Sequence, residues 1–242
     1  MIPRVPDLVP YRMLGALRHR NYRLFLTGQI ISTVGTWMQS VAMPWLALEL
    51  THSGLLVGLV LAAQFTPVLL GGPFGGLVAD RERKRNVLLV TQSLFTIPSF
   101  VLFAVSATGH AQYWMVIVAA FATGAINMFD VPARQAFVIE MVGRQDLMNA
   151  IALNSSVFNA SAVIGPAIAG LVIAAVGVPI CFLANSVSYL AAIGALLLMR
   201  DLPLVVAQHR EQPFLKRIAE GASESEKQSL FNGTARRVYR LD

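Results

Sequence analysis

Polar residues recur at helical spacing within otherwise apolar stretches of this sequence. Thr123, Asn127, Asp130 and Arg134 follow one another at steps of four, three and four residues, so a helix would place them on one face. A carboxylate one helical turn from a guanidinium can form an ion pair. A carboxylate inside a membrane can also take up and release a proton. Two interpretations therefore stay open: a structural or gating pair of Asp130 and Arg134, or a proton-coupling role for Asp130.

A second polar stripe lies nearer the amino terminus, where Gln29, Thr33, Thr36 and Ser40 have the same kind of spacing. Ser and Thr residues in membrane helices often hydrogen-bond their own backbone or join two helices. Two interpretations therefore stay open for this stripe: such structural bonds, or the lining of a cavity. The predicted substrate cavity combines both stripes: Gln29, Thr33, Thr36, Ser40, Thr123 and Asn127.

Proton coupling requires an acidic residue within or beside the apolar stretches, and only Asp130 and Glu49 qualify. Enzymatic chemistry is not indicated, since the sequence has no phosphate-binding Gly-rich loop, no Ser-His-Asp arrangement and no zinc-helix motif. The four histidines are scattered and there is one cysteine, so no metal and no cofactor are predicted. Coupling to an ion gradient is left as the energy source by elimination.

The elements that carry these residues are predicted to cross a membrane. Of the 242 residues, 55% are hydrophobic and only 13% are charged, whereas soluble domains carry about a quarter charged residues. A bilayer crossing needs about 20 mostly apolar residues. Six spans are predicted, at 24–48, 55–79, 87–107, 113–131, 149–176 and 180–199, between a cytoplasmic amino-terminal segment, 1–23, and a cytoplasmic polar tail or linker, 200–242.

The orientation follows from the basic residues, which are retained on the cytoplasmic side of a membrane. With six spans, all 19 Lys and Arg residues fall on one side and the three opposite turns hold none. Both termini are therefore predicted to be cytoplasmic, in a multi-pass plasma membrane protein whose partner is the lipid bilayer. The net charge of +6 could indicate nucleic acid, but these charges lie beside the spans, so no nucleic-acid partner is expected.

The junction between the second and third spans holds the most specific motif, residues 76–85, which read GLVADRERKR. It resembles the signature of the major facilitator superfamily, in which an aspartate four residues after a glycine is followed by arginine and a basic cluster. Arg83 stands where that family usually has a glycine. Gly76 would let another helix approach closely. The resemblance implies a cytoplasmic gate formed by Gly76, Asp80, Arg81, Arg83, Lys84, Arg85 and Arg134.

Three further stretches, 28–39, 127–137 and 154–170, resemble the drug and siderophore exporter branch of that superfamily, which contains enterobactin exporters. The resemblance covers about 21–199. It implies an all-α membrane protein with a six-transmembrane-helix bundle, which is the amino-terminal half of a 12-helix major facilitator fold. Residues 72–77 (GPFGGL) and 165–171 (GPAIAGL) both begin with Gly-Pro and end with a small residue, glycine and leucine, although the second stretch is one residue longer. Two inverted three-helix repeats would predict such a similarity.

The implied function is secondary active transport: efflux of small amphiphilic compounds such as drugs or siderophores, coupled to protons and working by alternating access. In the family, helices 1, 2, 4 and 5 line the cavity, and helices 3 and 6 lie outside it. Because full members have twelve spans, a second six-helix half or a second copy is expected as a partner. The alternative is a truncated or non-transporting membrane fragment that acts only as an assembly or interaction module.

Overall fold

The computed structural model describes residues 15–200, except for the side chains of Pro73 and of residues 79–81. This part of the chain is all helical, without β-strands, as the sequence predicts. Its helices are α1 (Arg20–Thr51), α2 (Gly54–Arg81), α3 (Lys84–Ala107), α4 (Tyr113–Val176) and α5 (Pro179–Leu197). Of the predicted segments 1–23 and 200–242, residues 1–14 and 201–242 lie outside the described residues.

The longest helix, α4, is interrupted once, at Gly143, where φ is 68° and ψ is −179°. Glycine adopts this backbone conformation without the steric cost that a Cβ atom would add. The sequence predicted a loop over 132–148, but helix continues on both sides of Gly143, so only the break is confirmed. The reason is packing: Phe137, Val138 and Met141 are buried, and burying them favours helix where a charged loop had been expected.

The connections between the other helices are short. His52 has a left-handed φ of 51° and, with Ser53, forms the whole link between α1 and α2. Gly177 has a φ of 93° and precedes Pro179, the first residue of α5. Proline suits the first helical turn because its missing N–H would have no partner there.

The buried apolar side chains form two clusters. The first cluster contains Tyr22 and Phe25 of α1, Leu88 of α3 and Leu196 of α5. The second cluster contains Leu46 of α1, Val60 of α2, Leu102 of α3 and Phe182 of α5. Helix α4 enters the second cluster at Val116, reaches the first at Phe137 and Ala150, and returns to the second at Ala169. Helices α1, α3 and α5 each run from one cluster to the other.

Polar ties surround the first cluster. His19 pairs with Asp146 at 3.0 Å, and Lys84 pairs with Glu140 at 3.2 Å. Arg85 Nε donates to the carbonyl oxygen of Leu196 at 3.0 Å, close to the carboxyl end of α5. The residues around the start of α1, the start of α3, the break in α4 and the end of α5 therefore meet at one end of the bundle. These are the segments for which the sequence predicts a cytoplasmic location.

Four helices of the described chain are long and apolar enough to cross a membrane: Gly54–Gly72 within α2, and the whole of α3, α4 and α5. This finding supports a multi-pass membrane protein. The count of six crossings and the direction in which the termini point stay predictions.

Candidate functional site

The described helices enclose one side of a cavity of about 840 Å³. Five of the six predicted cavity residues line it: Gln29, Thr33, Thr36, Ser40 and Asn127. Thr123 is buried instead, and its hydroxyl donates to the carbonyl oxygen of Ala119 at 2.8 Å, so it binds its own helix.

The wall is formed mainly by α1, α2 and both segments of α4, which correspond to predicted spans 1, 2, 4 and 5. Two lining residues come from the helices expected to lie outside it: Phe95 of α3 and Tyr189 of α5. Their rings stack with centroids 5.3 Å apart and an interplanar angle of 15°. Sequence reasoning missed both residues, because aromatic side chains in apolar helices carry no polar periodicity.

Asp130 and Arg134 form an ion pair in the wall of the cavity, with Arg134 Nε 3.0 Å from Asp130 Oδ2. The Nη2 atom of Arg134 donates to the same oxygen. The other carboxylate oxygen of Asp130 accepts hydrogen bonds from Thr91 at 2.6 Å and from Gln92 at 2.9 Å. The Asp130 side chain is 1% exposed and the Arg134 side chain 26%, so the guanidinium is the more accessible charge.

The ion pair belongs to a network that joins three helices. Arg134 Nη1 donates to Gln29 Oε1 on α1, and Ser32 of α1 donates to Gln92 Oε1 on α3 at 3.5 Å. We call Gln29, Ser32, Thr91, Gln92, Asp130 and Arg134 the charge network. Burial of a charge is tolerated when hydrogen bonds and an opposite charge replace its water. Thr91 and Gln92 were not predicted from the sequence, although two polar neighbours within an apolar span were the available signal.

A second buried polar group holds Tyr189 in place. Asn185 donates to Gln39 Oε1 at 2.8 Å and to the Tyr189 hydroxyl at 3.2 Å, and Ser99 donates to Gln39 Oε1 at 2.7 Å. A Cβ atom at Gly35 would overlap the side chain of Ser188, so glycine permits the close approach of α1 and α5. These bonds fix the ring of Tyr189 against the cavity.

The predicted gate residues separate into two places. Lys84 and Arg85 bind Glu140 and the end of α5, while Arg83 is exposed just before α3. The side chains of Asp80 and Arg81 lie outside the described residues. Arg134 lies in the charge network, where it donates hydrogen bonds to Asp130 and Gln29. It lines the cavity, and the gate role that the family resemblance implies for it stays a prediction.

Within the described chain no helix approaches Gly76 closely, whereas one does approach its neighbour Gly75. A Cβ atom at Gly76 would meet no atom of the described chain within 4 Å, whereas one at Gly75 would overlap the carbonyl oxygen of Met128. Gly71 also contacts Met128, and Gly124 contacts Gln64 in the same way. Gly71 and Gly75 share a face because they are four residues apart, and Gly76 is rotated by about 100° from Gly75. The crossing of α2 and α4 therefore uses Gly71, Gly75 and Gly124.

Glu49, the second candidate for proton coupling, is exposed near the end of α1. It accepts a hydrogen bond of 2.7 Å from Trp45 Nε1 on the same helix. It does not line the cavity described above.

Comparison with known proteins places this arrangement in a family. Residues 12–218 match the family model described as transmembrane secretion effector, a major facilitator family. The chain is 25% identical over 172 residues to a staphyloferrin A transporter of Staphylococcus aureus, covering 71% of the chain and 43% of that relative. It is 28% identical over 202 residues to an enterobactin exporter of Salmonella choleraesuis, covering 83% of the chain and 48% of that relative.

An uncharacterized MFS-type transporter of Bacillus subtilis is 26% identical over 178 residues, which cover 73% of the chain and 42% of the relative. The chain thus spans about half the length of the curated relatives it matches. The resemblance to the siderophore exporter branch is confirmed. Since the family model matches most of the sequence, the chain belongs to the transmembrane secretion effector family of the major facilitator superfamily of transporters.

Proposed function

We propose that this chain forms one half of a secondary active transporter that exports small amphiphilic compounds, such as siderophores, in exchange for protons. The observation that carries the proposal is the Asp130–Arg134 ion pair in the wall of a cavity of about 840 Å³. A cavity of this size suits a drug-sized ligand. An ionisable pair inside a membrane bundle marks an ion or substrate pathway by default. The names of the two siderophore-related relatives support this substrate class.

Six crossings are part of the proposal, and the path of α4 supports them. The 64 residues of α4 would extend roughly 96 Å at 1.5 Å per residue, against a hydrocarbon core of about 30 Å. Its two segments run between the apolar clusters in opposite directions, with the break at Gly143 beside the first cluster. Two crossings by α4 and one by each other helix make six. The basic residues then place both termini in the cytoplasm of a bacterial cell.

Proton coupling is assigned to Asp130 in preference to Glu49. A proton on Asp130 would remove the counter-charge of Arg134 and alter the bonds from Thr91 and Gln92. Because these partners lie on α3 and α4, and Arg134 also binds Gln29 of α1, protonation changes contacts among three helices. A transporter needs such a difference between its proton-bound and proton-free states in order to exchange them.

The loop between α2 and α3 is proposed as part of the cytoplasmic gate. Lys84 and Arg85 already bind α4 and the end of α5, so the start of α3 is anchored where a gate would close. The proposed gate motif consists of Gly76, Asp80, Arg81, Arg83, Lys84 and Arg85.

A partner completes the transporter in this proposal, either a separate second half or a second copy of this chain. The cavity is open on one side, and its polar wall would otherwise face lipid, which is unfavourable. Parallel halves of this superfamily are related by an axis along the membrane normal, which a second copy can reproduce. A stable monomer in light scattering that also transports substrate in liposomes would contradict this part of the proposal.

Export from the native host tests the function, since any second half is present there. We expect deletion of the gene to lower secretion of at least one siderophore or drug in a susceptibility and secretion panel, and the wild-type gene to restore it. Asp130→Asn should insert at the wild-type level yet reduce export at least several-fold. Arg144→Gln, which alters an exposed charge outside the proposed gate and outside the cavity, is the control and should restore export. Full export by Asp130→Asn would remove Asp130 from the mechanism.

A further inference from the structure

The charges of the cavity wall balance each other. Of the described side chains that line the cavity, only Asp130 and Arg134 are charged, and they are paired. The two oxygens of Asp130 accept bonds from Thr91, Gln92 and Arg134, and the side chain is 1% exposed. A ligand therefore meets no uncompensated carboxylate, and the one accessible guanidinium is already neutralised by its neighbour.

The remaining polar groups of the wall are uncharged. Five amide side chains line the cavity without a hydrogen bond to another described residue: Gln64, Asn127, Gln135, Asn154 and Asn159. Each amide offers both donors and acceptors. Such groups bind the carbonyl, hydroxyl and amide groups of a ligand at no cost in charge burial.

The apolar part of the wall is rich in aromatic rings. Trp37 and Phe158 make an edge-to-face contact with centroids 5.4 Å apart, and both line the cavity. Phe65 lines it from α2, and this residue is 66% exposed in the described chain. Rings of this kind favour ligands with a flat or aromatic body.

Resting on the transport function proposed above, we propose that this wall selects ligands without net charge that combine amide or hydroxyl groups with an aromatic or apolar body. A ligand with a net charge would leave water for a wall that offers no unpaired opposite charge, and burial of an unpaired ion is costly. The Asp130–Arg134 pair acts as a charge filter. Because the negative charge of Asp130 cancels the positive charge of Arg134, the cavity accepts ligands without net charge.

Binding of matched probes to the chain in native-membrane nanodiscs, which retain any second half or second copy, tests this filter. The probes share one coumarin fluorophore. The acetamide probe carries a neutral carbamoylmethyl group, the acetate probe an anionic carboxymethyl group and the third probe a cationic trimethylammoniomethyl group. We expect wild-type protein to bind the acetamide probe at least about tenfold more tightly than either charged probe, given the cost of burying an unpaired charge. Protein-free nanodiscs provide the background for partition into lipid.

Variants of the pair should move the preference in opposite directions. Asp130→Asn leaves the wall positive and should shift the preference towards the acetate probe by about tenfold, whereas Arg134→Gln should shift it towards the cationic probe. The double variant restores neutrality and should restore preference for the acetamide probe, which separates charge from misfolding. Arg144→Gln makes the same change in net charge as Arg134→Gln at an exposed position of α4 outside the cavity, so it should keep the wild-type order.

The outcomes separate the two proposals. If wild-type protein binds a charged probe as tightly as the neutral one, or if Asp130→Asn leaves the order unchanged, the charge filter is wrong while the cavity remains a ligand site. If no probe binds above the protein-free background, the cavity is not a ligand site for such compounds and the proposed function loses its support.

Discussion

Asp130 is the most deeply buried charged residue of the described chain, at 1% exposure. Partners from two helices stabilise its buried carboxylate: Thr91 and Gln92 of α3 bind one oxygen, and Arg134 of α4 binds the other. Removal of one member of a buried ion pair costs more than removal of both, since the remaining charge has lost its counter-charge. The pair should therefore show strong energetic coupling.

A double-mutant cycle measures this coupling. We expect Arg134→Met alone to lower the free energy of unfolding by about 3–5 kcal/mol, and Asp130→Asn with Arg134→Met to recover a large part of that loss. The measurement is unfolding in denaturing detergent, followed by circular dichroism at fixed protein concentration. If the single effects add to within about 0.5 kcal/mol, the pair does not interact as the structure indicates.

The sequence could predict the Asp130–Arg134 pair but not the residues of α3 that bind it. The four-residue step from Asp130 to Arg134 places both on one face of a helix whatever the tertiary fold. Thr91 and Gln92 lie about 40 residues earlier in the chain, and the approach of α3 to α4 depends on packing that no local pattern encodes. Thr123 shares the helix face of Asn127, yet helix crossings decided that it is buried and not in the cavity wall.

Close crossings between helices position the wall of the cavity. Helices α2 and α4 touch where glycines remove side chains: Gly71 and Gly75 face Met128, and Gly124 faces Gln64. Without a hydrophobic driving force in lipid, close packing at small residues supplies much of the attraction between helices. The motif glycine, Gly76, lies on another face of α2 and is not used in this crossing, so its close approach to another helix stays a prediction.

Adjacent glycines give a matched test of that crossing. Gly75→Ala places a methyl group against the backbone carbonyl oxygen of Met128, which cannot move aside as a side chain can. We expect it to lower the free energy of unfolding by about 1–3 kcal/mol, as overpacking does. Gly76→Ala meets open space, and alanine favours helix by up to about 1 kcal/mol over glycine, so stability should stay the same or rise slightly. Equal destabilisation by both variants would contradict the crossing, and it would be visible in the same unfolding assay.

At the scale of the whole molecule, two apolar clusters hold the ends of the bundle together and the polar cavity lies in its wall. The all-α class and most helix limits follow from long apolar runs between Gly, Pro and charged turns, which act locally. The contributions of Phe95 and Tyr189 to the cavity do not follow from any such run, because they depend on how far α3 and α5 reach between their neighbours. The chain matches only 42–48% of the length of its relatives, and the proposal assigns the opposite wall of the cavity to a second six-helix half or a second copy.

Proton linkage of ligand binding tests the central claim most directly, because it joins the cavity, the ion pair and the transport cycle in one quantity. A proton on Asp130 would leave Arg134 without its counter-charge. Because the wall would then carry a positive charge that holds water, it would disfavour a neutral amphiphile. Binding of the ligand and binding of the proton should therefore compete. Calorimetric titration of the acetamide probe, in buffers of different ionisation enthalpy across a series of pH values, counts the protons released. We expect wild-type protein to release protons on binding over part of that series, and Asp130→Asn to bind the probe with no such release. Equal proton release by both proteins, or none from the wild type at any pH, would contradict Asp130 as the coupling residue.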